Sequence, residues 1–208
     1  MTLKKHSETL VQRWENGNVS PLSEFLGDES LVHLSVNGNM LTSLLASNSD
    51  LNYLLIGHLF TEYQINIASS NNHIQIEQDV NGMTVNVDNP ELVVKKKRSE
   101  LVVSSCGACD QDNLNTLVDS TPNVTASSKL YQMEELMSKI DEMKSKQEVF
   151  SKTGGVHGSG ILMDDDSFAV MEDIGRHNAV DKAIGHALST SKDTRIRALF
   201  LSGRCGWD

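Results

Sequence analysis

The chain has 208 residues, 38% hydrophobic and 22% charged, which suits one sizeable domain or two small ones with a true core. Its net charge of −10 excludes broad binding to nucleic acid or anionic lipid, both of which need basic surface. Three cysteines, two of them in a tight C-x-x-C, suit a reducing compartment rather than a disulfide framework.

No apolar core follows Lys4–Lys5 as a signal peptide would require. The most apolar run, Leu51 to Phe60, is interrupted by Asn52, Gly57 and His58 and is too short to span a bilayer. A cytoplasmic chain with no membrane and no nucleic-acid partner is expected.

In chain order, Leu31 to Ser43 reads as a hairpin turning at Asn37–Gly38. Ser49 or Asp50 can cap a helix with an apolar face of Leu51, Leu54, Leu55, His58 and Leu59. A second hairpin runs from His73 to Asp88 and turns at Asn81–Gly82. A strand near Leu101–Val103 then leads into Cys106-Gly107-Ala108-Cys109, and Asp110 to Ser128 reads as an irregular loop. From Ser127 or Ser128 a helix is expected to bury Leu130, Met133, Leu136, Met137, Ile140 and Met143, with Glu135 pairing Lys139 on its other face.

The last third concentrates glycine, histidine and charge. Thr153-Gly154-Gly155-Val156-His157 is a turn, and Ser167 to Met171 is a strand. Glu172 to Asn178 connects that strand to a helix running from about His177 to Leu188, with Ala179, Val180, Ala183, Ile184 and Ala187 on its buried face. Arg195 to Leu201 is a strand ending in Ser202-Gly203-Arg204. Three units therefore place polar or glycine-rich residues at strand ends, where ligands bind in open α/β sheets.

A C-x-x-C can form a disulfide, supply half a zinc site, or present one activated thiolate. Zinc needs four ligands, and Cys205, His157 and His177 are scattered singly. Lys95-Lys96-Lys97-Arg98 lies one strand upstream and can lower a thiol pKa, although such a run also serves to discourage edge-to-edge aggregation. Buried, inert cysteines are the plain alternative. Nucleoside deamination fails on chemistry: the C-x-x-C precedes the histidine, and no Glu follows His157 at the required spacing. Gly154 and Gly155 can bind ligand or merely turn the chain, and His157 can serve a site or the core. Arg176 can hold a phosphate or pair locally with Asp173 or Glu172, while Asp181 and Lys182 read as helix packing.

Asn37-Gly38, Thr61-Glu62, Cys106-Gly107-Ala108-Cys109, Thr153 to His157, the eleven residues Glu172 to Lys182, and Ser202-Gly203-Arg204 together resemble the FdhD family of formate dehydrogenase accessory sulfurtransferases. The resemblance runs from Leu31 to the end of the chain. Asp110 departs from the family's usual Gly, as does Tyr63 after Thr-Glu, and the family continues beyond Asp208.

The resemblance implies an α/β fold: a cytidine-deaminase-like mixed sheet with flanking helices, preceded by a β-hairpin-rich N-terminal region. The expected division is 1–100 for that region and 101–208 for the sulfur-transfer region. It further implies a persulfide on Cys106 or Cys109. Sulfur would come from a cysteine desulfurase and pass to a bis-guanine-dinucleotide molybdenum cofactor, bound as substrate, for formate dehydrogenase. A second copy of the chain is a further candidate partner, and no metal bound directly by the protein is expected. Thr153, Gly154, Gly155, His157, Asp173, Gly175, Arg176, His177, Ser202, Gly203 and Arg204 are the candidate contacts to the cofactor's guanine nucleotide. A cofactor-binding chaperone with no covalent sulfur step and a zinc-stabilised interaction module remain the rival readings.

Overall fold

The computed structural model describes residues 5–68, 72–94, 130–190 and 195–203. Strands β1 (His6–Glu15) and β2 (Asn18–Gly27) form a separate antiparallel hairpin. Strands β3 (Glu29–Val36) and β4 (Asn39–Ser47) form a second hairpin. Asn37 and Gly38 both take positive φ, 51° and 74°, which is what the tight turn of a two-residue hairpin loop demands. Helix α1 (Leu51–Tyr63) follows, then the hairpin of β5 (His73–Asp79) and β6 (Gly82–Asp88), which turns through Val80–Asn81, one residue earlier than the sequence suggests. These strands build a mixed sheet in the order β4-β3-β6-β5, with β3 and β6 parallel and the other pairs antiparallel.

Helices α2 (Met133–Lys146) and α3 (Glu148–Thr153) lead into β7 (His157–Met163) and β8 (Phe168–Asp173), and then α4 (Arg176–Thr190) and β9 (Ile196–Leu201). The second sheet, β8-β7-β9, is antiparallel throughout. The fold is thus mixed α/β, with several sheets and flanking helices.

Helix α1 covers one face of the mixed sheet, where Leu54, Leu55 and Leu59 meet Leu34, Val85 and Val87 in the largest apolar core. Helix α4 covers the second sheet through Ala183 and Ala187 against Ile161 and Met163. Leu162 points the opposite way, as strand alternation requires, and meets Met143 of α2 and Phe200. The two helices α1 and α4 lie back to back, and glycine makes this possible. A Cβ on Gly57 would overlap the carbonyl oxygen of Asp181, and one on Gly185 would overlap that of Tyr53. Buried hydrogen bonds seal the seam: the Asp181 carboxylate accepts from Thr61 Oγ1 at 2.8 Å and meets His58 Nδ1 at 3.2 Å.

Several local expectations change. Helix α2 begins at Met133, where Gln132 is the cap and Glu135 accepts from its backbone N–H at 3.1 Å. Glu135 is therefore occupied by the helix start, and Lys139 pairs instead with Glu142 at 2.6 Å. Its apolar stripe is only partly covered: Met143 is buried, whereas Leu130, Met133 and Met137 are exposed. Asp50 caps α1 by position alone, in left-handed backbone without a side-chain cap, and its carbonyl accepts from Leu54 N. Helix α4 begins at Arg176 and buries Asn178, Asp181 and Lys182 along with its alanines, leaving Val180 and Ile184 half-buried.

The expected strand at Leu101–Val103, the C-x-x-C of Cys106 and Cys109, the loop from Asp110 to Ser128, Arg204, Cys205 and the boundary at 100/101 lie outside the described residues. No helix among the described residues is long and apolar enough to cross a membrane.

Candidate ligand-binding edge

The antiparallel order β8-β7-β9 brings the end of β8, the start of β7 and the end of β9 to one edge of the second sheet. His157 pairs with Asp173 across β7 and β8. On the other side, Ser202 N donates to Gly158 O at 3.0 Å, and Ser202 Oγ accepts from Gly158 N at 2.8 Å. Gly203 lies so close to His157 that a Cβ there would sit 3.2 Å from Nδ1. Helix α4 starts at the same edge, with Gly175 and Arg176 half-buried and His177 exposed.

The turn before β7 reaches this edge as well. Gly154 ends α3 in left-handed backbone, φ 62°, a conformation glycine adopts without Cβ strain. Thr153 Oγ1 donates back to Val149 O at 2.9 Å and accepts from Gly155 N at 3.2 Å, so its hydroxyl shapes the turn. The Glu172 carboxylate accepts from the first backbone amides of α3, Val149 N at 2.9 Å and Phe150 N at 2.8 Å. It therefore ties the start of α3 to β8. An acidic group at a helix start also interacts favourably with the helix dipole.

Asp173 is placed differently from the other candidates. It exposes no surface. Oδ1 accepts from Gly175 N at 2.8 Å and Asn178 Nδ2 at 3.0 Å. Oδ2 accepts from Ser47 N at 3.0 Å and lies 2.5 Å from Lys182 Nζ. Its carboxylate is thus occupied by the chain's own donors, and its ion-pair partner is the distant Lys182. Ser47 and Lys182 are the participants that sequence reasoning passed over or assigned to packing. Ser47 sits in no motif and carried no signal. Lys182 carries one, since a lysine beside Ala183 and one turn from Ala179 on an apolar helix face needs a buried partner.

The structure therefore brings Thr153, Gly154, Gly155, His157, Gly175, Arg176, His177, Ser202 and Gly203 to one edge, with Asp173 beneath it. Half-buried imidazole, an exposed hydroxyl and a helix N-terminus form a surface able to receive an anionic, hydrogen-bonding ligand.

The family model for the FdhD/NarQ family matches residues 28–208, which include every element of this edge. The chain belongs to the FdhD/NarQ family. A protein of Bacillus subtilis strain 168 named sulfur carrier protein FdhD is 25% identical over 194 residues, covering 93% of this chain and 74% of its own length. One of the same name from Thermoplasma acidophilum is 32% identical over 163 residues, covering 75% of this chain and 56% of its own. A crystal structure of a protein from Desulfotalea psychrophila, named as a formate dehydrogenase accessory protein, superposes with a TM-score of 0.67 at 20% identity. That match covers 96% of this chain and 75% of the other, and it shows a shared fold.

Proposed function

We propose that the chain is a cytoplasmic sulfur carrier serving formate dehydrogenase, with Cys106 as the sulfur-bearing thiol. The observation that supports this most is the family match through residues 28–208, which spans the C-x-x-C and the ligand-binding edge alike. In this reading the Cys106 thiolate attacks the terminal sulfur of a desulfurase persulfide. The donor S–S bond breaks, the desulfurase cysteine leaves as thiolate, and the sulfur moves to Cys106 without net oxidation. Cys109 then attacks the inner sulfur, expelling hydrosulfide toward the molybdenum cofactor as the Cys106–Cys109 disulfide forms. The two electrons that reduce the sulfur come from the two thiols, and two equivalents of an external thiol reset the pair, leaving as their own disulfide.

The edge of the second sheet would hold the guanine nucleotide part of that cofactor. The start of α4 and Arg176 favour its phosphates, and His157 and Ser202 offer hydrogen bonds. With GDP as probe, amide exchange should slow in residues 153–157 and 172–178 of the full chain. Unchanged exchange in both segments would remove the nucleotide assignment. Cys106→Ala should abolish formate dehydrogenase maturation in a host lacking its own carrier, and normal maturation would overturn the thiol assignment.

A further inference from the structure

We propose that Ser47, Asp173 and Lys182 are positioning residues that set the aim of the 174–177 turn from the end of β4, an inference that rests on reading this turn as a nucleotide-binding edge. The first two amides of the turn are both held by buried acceptors. Ile174 N donates to Ser47 Oγ at 3.0 Å, and Gly175 N donates to Asp173 Oδ1 at 2.8 Å. Ser47 belongs to a different sheet from Asp173, and its own backbone closes the circuit. Its N–H donates to Asp173 Oδ2 at 3.0 Å, and its carbonyl accepts from Lys182 Nζ at 3.0 Å. Asn178 adds a further link, donating to Leu45 O at 2.8 Å and to Asp173 Oδ1 at 3.0 Å.

The turn that presents Arg176 and His177 is thus clamped between β4, β8 and α4. A buried ion pair rarely stabilises a fold more than apolar side chains of similar volume would. What this pair provides that leucine and methionine could not is directional hydrogen bonding to two turn amides, and with it a fixed helix start. Binding at such a start depends on geometry to within about 1 Å, and a misplacement of that size can cost about a hundredfold in function.

The test uses the full chain, with Ser47→Ala and the apolar double substitution Asp173→Leu with Lys182→Met. Three quantities are measured: the thermal midpoint, amide exchange in residues 172–178 against α1, and the GDP dissociation constant by calorimetry. The expected result is a folded chain with α1 still protected, faster exchange in 172–178, and GDP affinity lower by about tenfold to a hundredfold. If exchange in 172–178 stays as in the wild type, or if it rises while GDP affinity does not change, the positioning role is overturned. Should the double variant fail to fold, Ser47→Ala decides, because it removes one hydroxyl and leaves the ion pair intact. A wild-type chain that does not bind GDP would refute the nucleotide reading instead, and the exchange comparison then decides the positioning by itself.

Discussion

The Lys182 ammonium lies 2.5 Å from the Asp173 carboxylate, and neither side chain exposes any surface. Among the described residues, each charge is compensated by the other and by Ser47, Gly175 and Asn178. Removing one partner leaves an uncompensated buried charge. Lys182→Ala or Asp173→Ala should therefore destabilise the fold by about 3–5 kcal/mol in urea titration. The double substitution Asp173→Leu with Lys182→Met should recover most of that loss. Equal losses in the single and double variants would show that the pair is not electrostatically coupled.

This pairing also shows where sequence reasoning stops. Asp173 and Lys182 are separated by a strand end and two helical turns, and local spacing points from Asp173 to Arg176 instead. The clamp exists because β4 arrives from another sheet, which no periodicity reports. By contrast, the hairpins at Asn37–Gly38 and near Asn81–Gly82 are legible, since Asn-Gly marks a tight turn, and at Asn37–Gly38 both residues take the positive φ that the turn needs. The same dipeptide at Asn16–Gly17, also with positive φ, closes β1 and β2, yet the flanking strands carry no clear strand signal. Adjacent apolar pairs such as Leu10-Val11 and Phe25-Leu26 break the alternation that marks a half-buried strand, and Leu10, Trp14 and Val19 are exposed. The start of α2 falls later than the apolar spacing predicts, because Glu135 answers to the cap at Gln132 rather than to the helix face.

The seam between α1 and α4 makes a second prediction. A methyl group at Gly57 or Gly185 would meet backbone oxygen across the seam, which cannot rotate away as a side chain can. Gly57→Ala and Gly185→Ala should each cost about 3 kcal/mol or more, the upper range for overpacking. Gly17→Ala has open space, so it should lose only the smaller cost of positive φ. Thermal unfolding of the three variants gives the ranking, and parity among them would contradict close helix contact.

Burial pushes the His186 imidazole below its ordinary pKa, with Asp50 opposing weakly. The ring packs edge-on to Tyr53. Because the folded pKa is depressed, the unfolded chain binds this proton more readily. The stability owed to neutral His186 is therefore complete above the ordinary histidine value of about 6.5 and declines as pH falls below it. His186→Phe should flatten the fall in unfolding free energy between about pH 7 and pH 5. An identical pH profile in the variant would remove His186 as its source.

The proposal that Cys106 carries sulfur is tested most directly by intact-mass spectrometry of the full chain after incubation with a cysteine desulfurase and cysteine. The predicted result is an added mass of one sulfur atom, about 32 Da, that thiol reductant removes. It should be absent from Cys106→Ala and unchanged in Cys205→Ala. A wild-type chain that gains no sulfur would contradict the sulfur-carrier assignment, and a Cys106→Ala chain that gains it in full would overturn Cys106 as the carrying thiol.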